Sequence, residues 1–159
     1  MKMTKIGTYT ARGVVSEVDT EAGTPQRVFL WDGSNKTAYR VTSFYIWGSN
    51  WSGSTGPDVI GKLAKNDIGT TSAASFMRAD DDNQIAWAVS QGSADTGGGP
   101  FNEGPIIDPE NLIVEDLYVY VRTAAAQSTP VNYLIELEKY AIDGWRGTLE
   151  MARDEFDGE

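Results

Sequence analysis

The chain has 159 residues, 40% of them hydrophobic and 23% charged, with a formal charge of −10; that is one globular domain's worth of sequence with enough apolar material for its own core. It contains neither cysteine nor histidine, which excludes disulfides, thiolate metal sites and the commonest general base. The acidic balance argues against nucleic acid as a partner, since neutralising phosphates takes clustered Lys and Arg, and it suits a basic protein surface.

In chain order, TYTARGVVSEV at 8–18 predicts a first strand, with Val14 and Val18 opposed to Val15. The N-terminal MKMTKIGTYTARG has no apolar run of signal-peptide length and no later stretch could span a bilayer, so a product made in the cytoplasm without a membrane partner is expected. DTEAGTPQ at 19–26 reads as a turn. RVFLW at 27–31 reads as a short strand covered on both faces, with Trp31 in the core. Asp32-Gly33 then signals a hairpin into the aromatic, β-branched run TAYRVTSFYIW at 37–47.

GSNWSGSTGPD at 48–58 is loop by composition, with Trp51 in it, and 59–63 predicts a short strand. Ala79–Asn83 is an acidic turn. Its three aspartates resemble calcium ligands in type, but the glycine and distal glutamate of an EF-hand are missing, so no metal is expected. QIAWAVS at 84–90 reads as a strand carrying Trp87. Residues 91–104 read as a loop whose Gly97-Gly98-Gly99-Pro100 lacks the Lys-Ser or Lys-Thr of a phosphate loop.

The strongest signal lies in 109–142. Leu117, Val119 and Val121 alternate with Tyr118, Tyr120 and Arg122; Tyr133, Ile135 and Leu137 alternate with Leu134, Glu136 and Glu138. Such alternation marks half-buried strands, and the polar connection predicts that they pair as an antiparallel hairpin with Leu117, Val119, Ile135 and Leu137 inward. Glu136 and Glu138 form a carboxylate pair on one face, which reads as the wet side of the strand rather than an acid/base pair. Seven or eight short strands without long helical alternation predict a single antiparallel β-sandwich of jelly-roll type over 1–142.

The tail, 143–159, changes period. Trp145, Leu149, Ala152 and Phe156 fall on one helical stripe, with Asp143 placed to cap it. Gly144 and Gly147 weaken the first turn by ~1 kcal/mol each relative to alanine. A helix this short needs a surface to dock on, either its own sandwich or a neighbouring subunit.

NLIVEDLYVYVR and VNYLIELEKYAI, followed by the tail GWRGTLEMARDEF, resemble small structural proteins of tailed bacteriophage virions, of the capsid-associated β-sandwich type. The resemblance covers mainly the last fifty residues. It implies a non-enzymatic capsid decoration or minor capsid protein that sits in the virion, contacts capsid or other virion proteins and forms homo-oligomers. It brings no catalytic residues and no cofactor. Trp47, Trp51, Trp145, Leu149 and Phe156 are the expected interface residues. The alternative is a carbohydrate-binding or adhesion module in which Trp47 and Trp51 stack on a surface glycan.

Overall fold

A computed structural model describes residues 3–15, 24–49, 58–68, 76–91, 101–123 and 130–157. Among these residues, eight strands form two antiparallel sheets that close on one another. The smaller sheet has the order β1 (Thr4–Val15), β8 (Val131–Ala141), β3 (Thr37–Gly48). The larger runs β2 (Thr24–Val28), β7 (Leu117–Thr123), β4 (Val59–Ala64), β5 (Gln84–Gln91), β6 (Phe101–Ile107). The first strand pairs with the last, the second with the seventh and the fourth with the fifth. These pairings are jelly-roll-like, while β6 extends the larger sheet beside β5 instead of pairing with β3, so the arrangement is a two-sheet antiparallel sandwich.

Period-2 patterning builds the core between the sheets. Val131, Tyr133, Ile135 and Leu137 of β8 point inward, meeting Leu117, Val119 and Val121 of β7 and Val59 and Leu63 of β4. β3 changes phase on the way: Tyr39 and Val41 are buried, then Phe44 and Ile46, because the register shifts between Val41 and Ser43. One extra residue at such a bulge moves every later side chain to the opposite parity. The Asn111 side chain occupies the place of a neighbouring strand there, accepting from Val41 N at 2.8 Å and donating to Val41 O at 3.3 Å. Tyr39 and Ile113 exchange both backbone hydrogen bonds, so residues 111–113 close the outer edge of β3.

The larger sheet is also covered outside. Phe76 lies over Ala64 and Tyr120, and Lys62 is fully buried among them. Its Nζ donates to Phe76 O at 2.6 Å and stands 4.3 Å and 5.4 Å from the centroids of the Phe76 and Tyr120 rings. Burial pulls the ammonium pKa down to about 8, opposed by the charge of Asp81. The Tyr120 hydroxyl donates to Asp67 Oδ1 at 2.8 Å and accepts from Ile68 N at 2.9 Å. Burial, then the Asp67 carboxylate, pushes its pKa up.

Several expectations change; Thr24–Gln26, read as part of a turn, open β2. Segments 117–121 and 133–137 are not a hairpin: β7 pairs with β2 and β4, and β8 with β1 and β3. The four residues expected inward are inward, because an apolar face is satisfied equally by a neighbour in the opposite sheet. Asp32-Gly33 does not join paired strands either; its turn, with Gly33 at φ +82, carries the chain from one sheet to the other. Residues 101–104 belong to β6 instead of the preceding loop. RVFLW leaves the sheet after Val28 and is open on one side.

Helix α1 (Gly144–Asp157) returns along the sandwich. Asp143 O accepts from Arg146 N and Gly147 N at 3.0 and 3.2 Å, opening the helix where the sequence places its cap.

Candidate functional site

Residues 29–36 arch between the sheets, and one carboxylate holds the start of the arch. Asp116, buried just before β7, accepts hydrogen bonds from Leu30 N at 2.9 Å, Trp31 N at 3.1 Å and Arg27 Nε at 2.7 Å, with Arg27 Nη2 completing the fork. Burial alone would raise its pKa; the Trp31 and Leu30 amides and the Arg27 guanidinium outweigh that and hold it below the usual carboxylate range. Two of its contacts are backbone amides, so the arch is fixed regardless of the side chains it bears.

Those side chains divide cleanly. Val28 and Leu30 enter the core, while Phe29 and Trp31 stand outward, 74% and 53% exposed. The Arg27 guanidinium lies 4.7 Å from the Phe29 ring centroid. The next turn is equally fixed, since Asp32 Oδ1 accepts from Ser34 N at 3.0 Å.

The far end of the arch is where α1 docks. Asn35 Nδ2 donates to Gly144 O at 2.8 Å and to Thr148 Oγ1 at 2.6 Å, and Ile142 N donates to Lys36 O at 2.9 Å. A Cβ on Gly147 would come 1.9 Å from Asn35 O. This glycine is a contact requirement; the helix could not approach the arch with any side chain there. Beneath lies a separate apolar cluster of Ala38, Leu112, Val114 and Ile142, with Met3, Tyr140 and Met151 against it.

The helix therefore seats on its own sandwich through Gly144, Gly147, Thr148 and Met151, not through the stripe the sequence pointed to. Trp145 and Leu149 are 59% and 58% exposed, and the Phe156 side chain lies outside the described residues. On the opposite flank, Arg146, Glu150 and Arg153 line a cavity of about 350 Å³ with Arg40 and Glu110.

Between arch and helix runs a groove of about 630 Å³, walled by Trp31 on one side and by Thr148, Met151 and Ala152 on the other. Ser34, Asn35 and Glu115 add polar lining. Ala152 lies three residues after Leu149 and seven after Trp145, so the exposed stripe continues directly from the groove wall. What these side chains offer is recognition surface: ring faces, an amide, two hydroxyls and one carboxylate.

The other expected residues lie apart. Trp47, on β3 opposite Asn132, is 37% exposed. Trp51 lies outside the described residues. Trp87 is half-buried, its Nε1 donating to Gln84 Oε1 at 2.9 Å. In the acidic turn, Asp80 pairs with Arg78, while Asp81 accepts from Asn83 N and Gln84 Nε2; both aspartates serve the turn itself. No group of three or more potential metal ligands occurs among the described residues. Glu138 pairs with Lys5 and accepts from the Tyr140 hydroxyl, and Glu136 is exposed.

Sequence reasoning missed Phe29 and Trp31. The signal was their shared parity, which puts both rings on one side of an extended segment. The carboxylate that fixes them comes from 85 residues further along the chain. No protein-family model matches the chain, and no curated protein does.

Proposed function

We propose that the protein is a non-enzymatic structural subunit that works by docking to neighbouring subunits, in the setting of a bacteriophage virion as a capsid decoration or minor capsid protein. One observation carries the reading. Helix α1 has already satisfied its need for a docking surface through Gly147 and Met151, yet still presents Trp145 and Leu149 to solvent. Large apolar side chains gathered on a rigid, exposed ridge are the anatomy of an interface core. Phe29 adds exposed apolar surface on the arch held by Asp116. The resemblance of the last fifty residues to capsid-associated proteins supplies the virion context, and the charge of −10 suits basic neighbours.

Sedimentation of the purified chain over a range of concentrations tests this. Assemblies in multiples of 17.3 kDa are expected, and the double variant Trp145→Ser, Leu149→Glu should disperse them without lowering the melting temperature. A single 17.3 kDa species at every concentration, or assemblies indifferent to the double variant, would overturn the reading.

A further inference from the structure

We infer that the groove between the arch and α1 is a binding site for a neutral saccharide, with Trp31 as its stacking platform. The inference is independent of the assembly reading and concerns the groove rather than the Trp145–Leu149 ridge.

Four features of the lining select the ligand class. Its volume of about 630 Å³ falls within the ~300–1,000 Å³ typical of small-molecule sites. The Trp31 ring is open to solvent while its backbone is tied to Asp116, so an apolar ring is presented at the groove wall without ordering the segment that carries it. Polar and apolar groups share the lining: Ser34, Asn35, Glu115 and Thr148 with Trp31, Met151 and Ala152. Asn35 is oriented by the hydrogen bonds its Nδ2 gives to Gly144 O and Thr148 Oγ1, which makes Oδ1 the acceptor it can offer.

Elimination narrows the choice further. A wholly apolar ligand would strip water from the Glu115 carboxylate and from the remaining lone pairs of Ser34, whose oxygen already accepts from Lys36 N, and of Thr148, without repaying it. An anion would meet Glu115 as the groove's one charged group and be repelled. A metal ion needs more oxygen ligands than one carboxylate supplies. A cation would gain little from a single exposed carboxylate. A sugar ring fits both halves of the lining: its C–H face covers an indole, and its hydroxyls donate to carboxylate, amide and hydroxyl oxygens, the Asn35 Nδ2 and Thr148 hydroxyl hydrogens being already given to Gly144 O and Thr148 Oγ1.

The experiment is an NMR titration of the full chain with maltohexaose, cellohexaose and chitohexaose at millimolar concentration. The Trp31 indole N–H is assigned by its disappearance in Trp31→Ala. The expected result is saturable movement of that resonance and of the Asn35 and Thr148 amides with at least one of the three. Binding should weaken about tenfold or more in Trp31→Ala and in Glu115→Gln, while Trp145→Ser, Leu149→Glu binds normally. Both groove substitutions are on exposed side chains, and Trp31→Ala leaves the amide held by Asp116 in place; an unchanged melting temperature confirms that each variant folds. Absence of saturable shifts with all three sugars overturns the inference, as does binding that survives Trp31→Ala. Salt-sensitive binding of hexalysine without any sugar binding would overturn it too and assign the groove to a cationic segment.

Discussion

Lys62 shows how far a single residue can depart from expectation. A lysine on a strand normally marks the wet face, but this one is sealed between Phe76 and Tyr120 and donates to the Phe76 carbonyl. The consequence is a pH dependence with a definite sign. In the unfolded chain the ammonium titrates near 10.5, and in the folded protein near 8. Below both values the proton is bound in either state and contributes no slope. Between them the unfolded chain holds a proton that the folded chain has released, so stability rises with pH, by up to about 3 kcal/mol. Tyr120 acts in the opposite sense: its folded pKa is raised above the ordinary 10, so above pH 10 unfolding gains from deprotonation and stability falls. Urea denaturation should therefore show stability climbing from pH 8 towards 10 and declining beyond. Lys62→Met should remove the climb. If wild type and Lys62→Met keep a constant difference across that range, the lysine is not titrating as its burial dictates.

At the scale of the element, α1 carries the clearest contrast between sequence and structure. Its existence, start and apolar stripe were legible, because a 3.6-residue period and a capping position are local signals. Its docking face was not. Helical periodicity identifies an apolar stripe but does not say whether that stripe faces the same chain, and here the contact is made by glycines that look like helix defects. Gly147 tests this directly. Replacing an interior helical glycine by alanine normally stabilises by ~1 kcal/mol. Against Asn35 O the new methyl has no room, and overpacking of this kind costs ~1–3 kcal/mol. Gly147→Ala should thus lower the melting temperature and weaken the Asn35 contacts to Gly144 and Thr148. A raised melting temperature would show that the helix does not sit on the arch. The arch itself was misread for the same reason: RVFLW, apolar at four successive positions, reads as a strand covered on both faces, but Asp116, whose bonds give it its shape, is remote in sequence.

At the scale of the whole molecule, the sandwich class was legible and the strand neighbours were not. Alternation gives the inward residues of β7 and β8 without giving their partners. The seven-residue stretch between them, unlike a two-residue turn, imposes no pairing, and the first-to-last pairing of β1 with β8 is a long-range choice settled by the two sheets together. That closure also defines what the tail does for stability. The main core, from Phe44 and Ile46 to Ile135 and Leu137, lies between the sheets, whereas Ala38, Leu112, Val114 and Ile142 form a second cluster on which Met151 packs. Truncation after Ile142 removes the cover of the second cluster only, together with Asn35's partners on the helix. The truncated chain should keep its β-sheet circular dichroism, melt at a lower temperature and bind a hydrophobic dye at the uncovered apolar surface. Complete unfolding would mean that the two clusters are one cooperative core. A melting temperature equal to that of the full chain, with no dye binding, would mean that the helix contributes nothing to the sandwich. Because truncation disturbs both the cluster and the Trp145–Leu149 ridge, any loss of assembly it causes is read beside the full-length double variant. Assembly lost in both places the contact on the ridge; assembly lost only on truncation places it on the surface the helix covers.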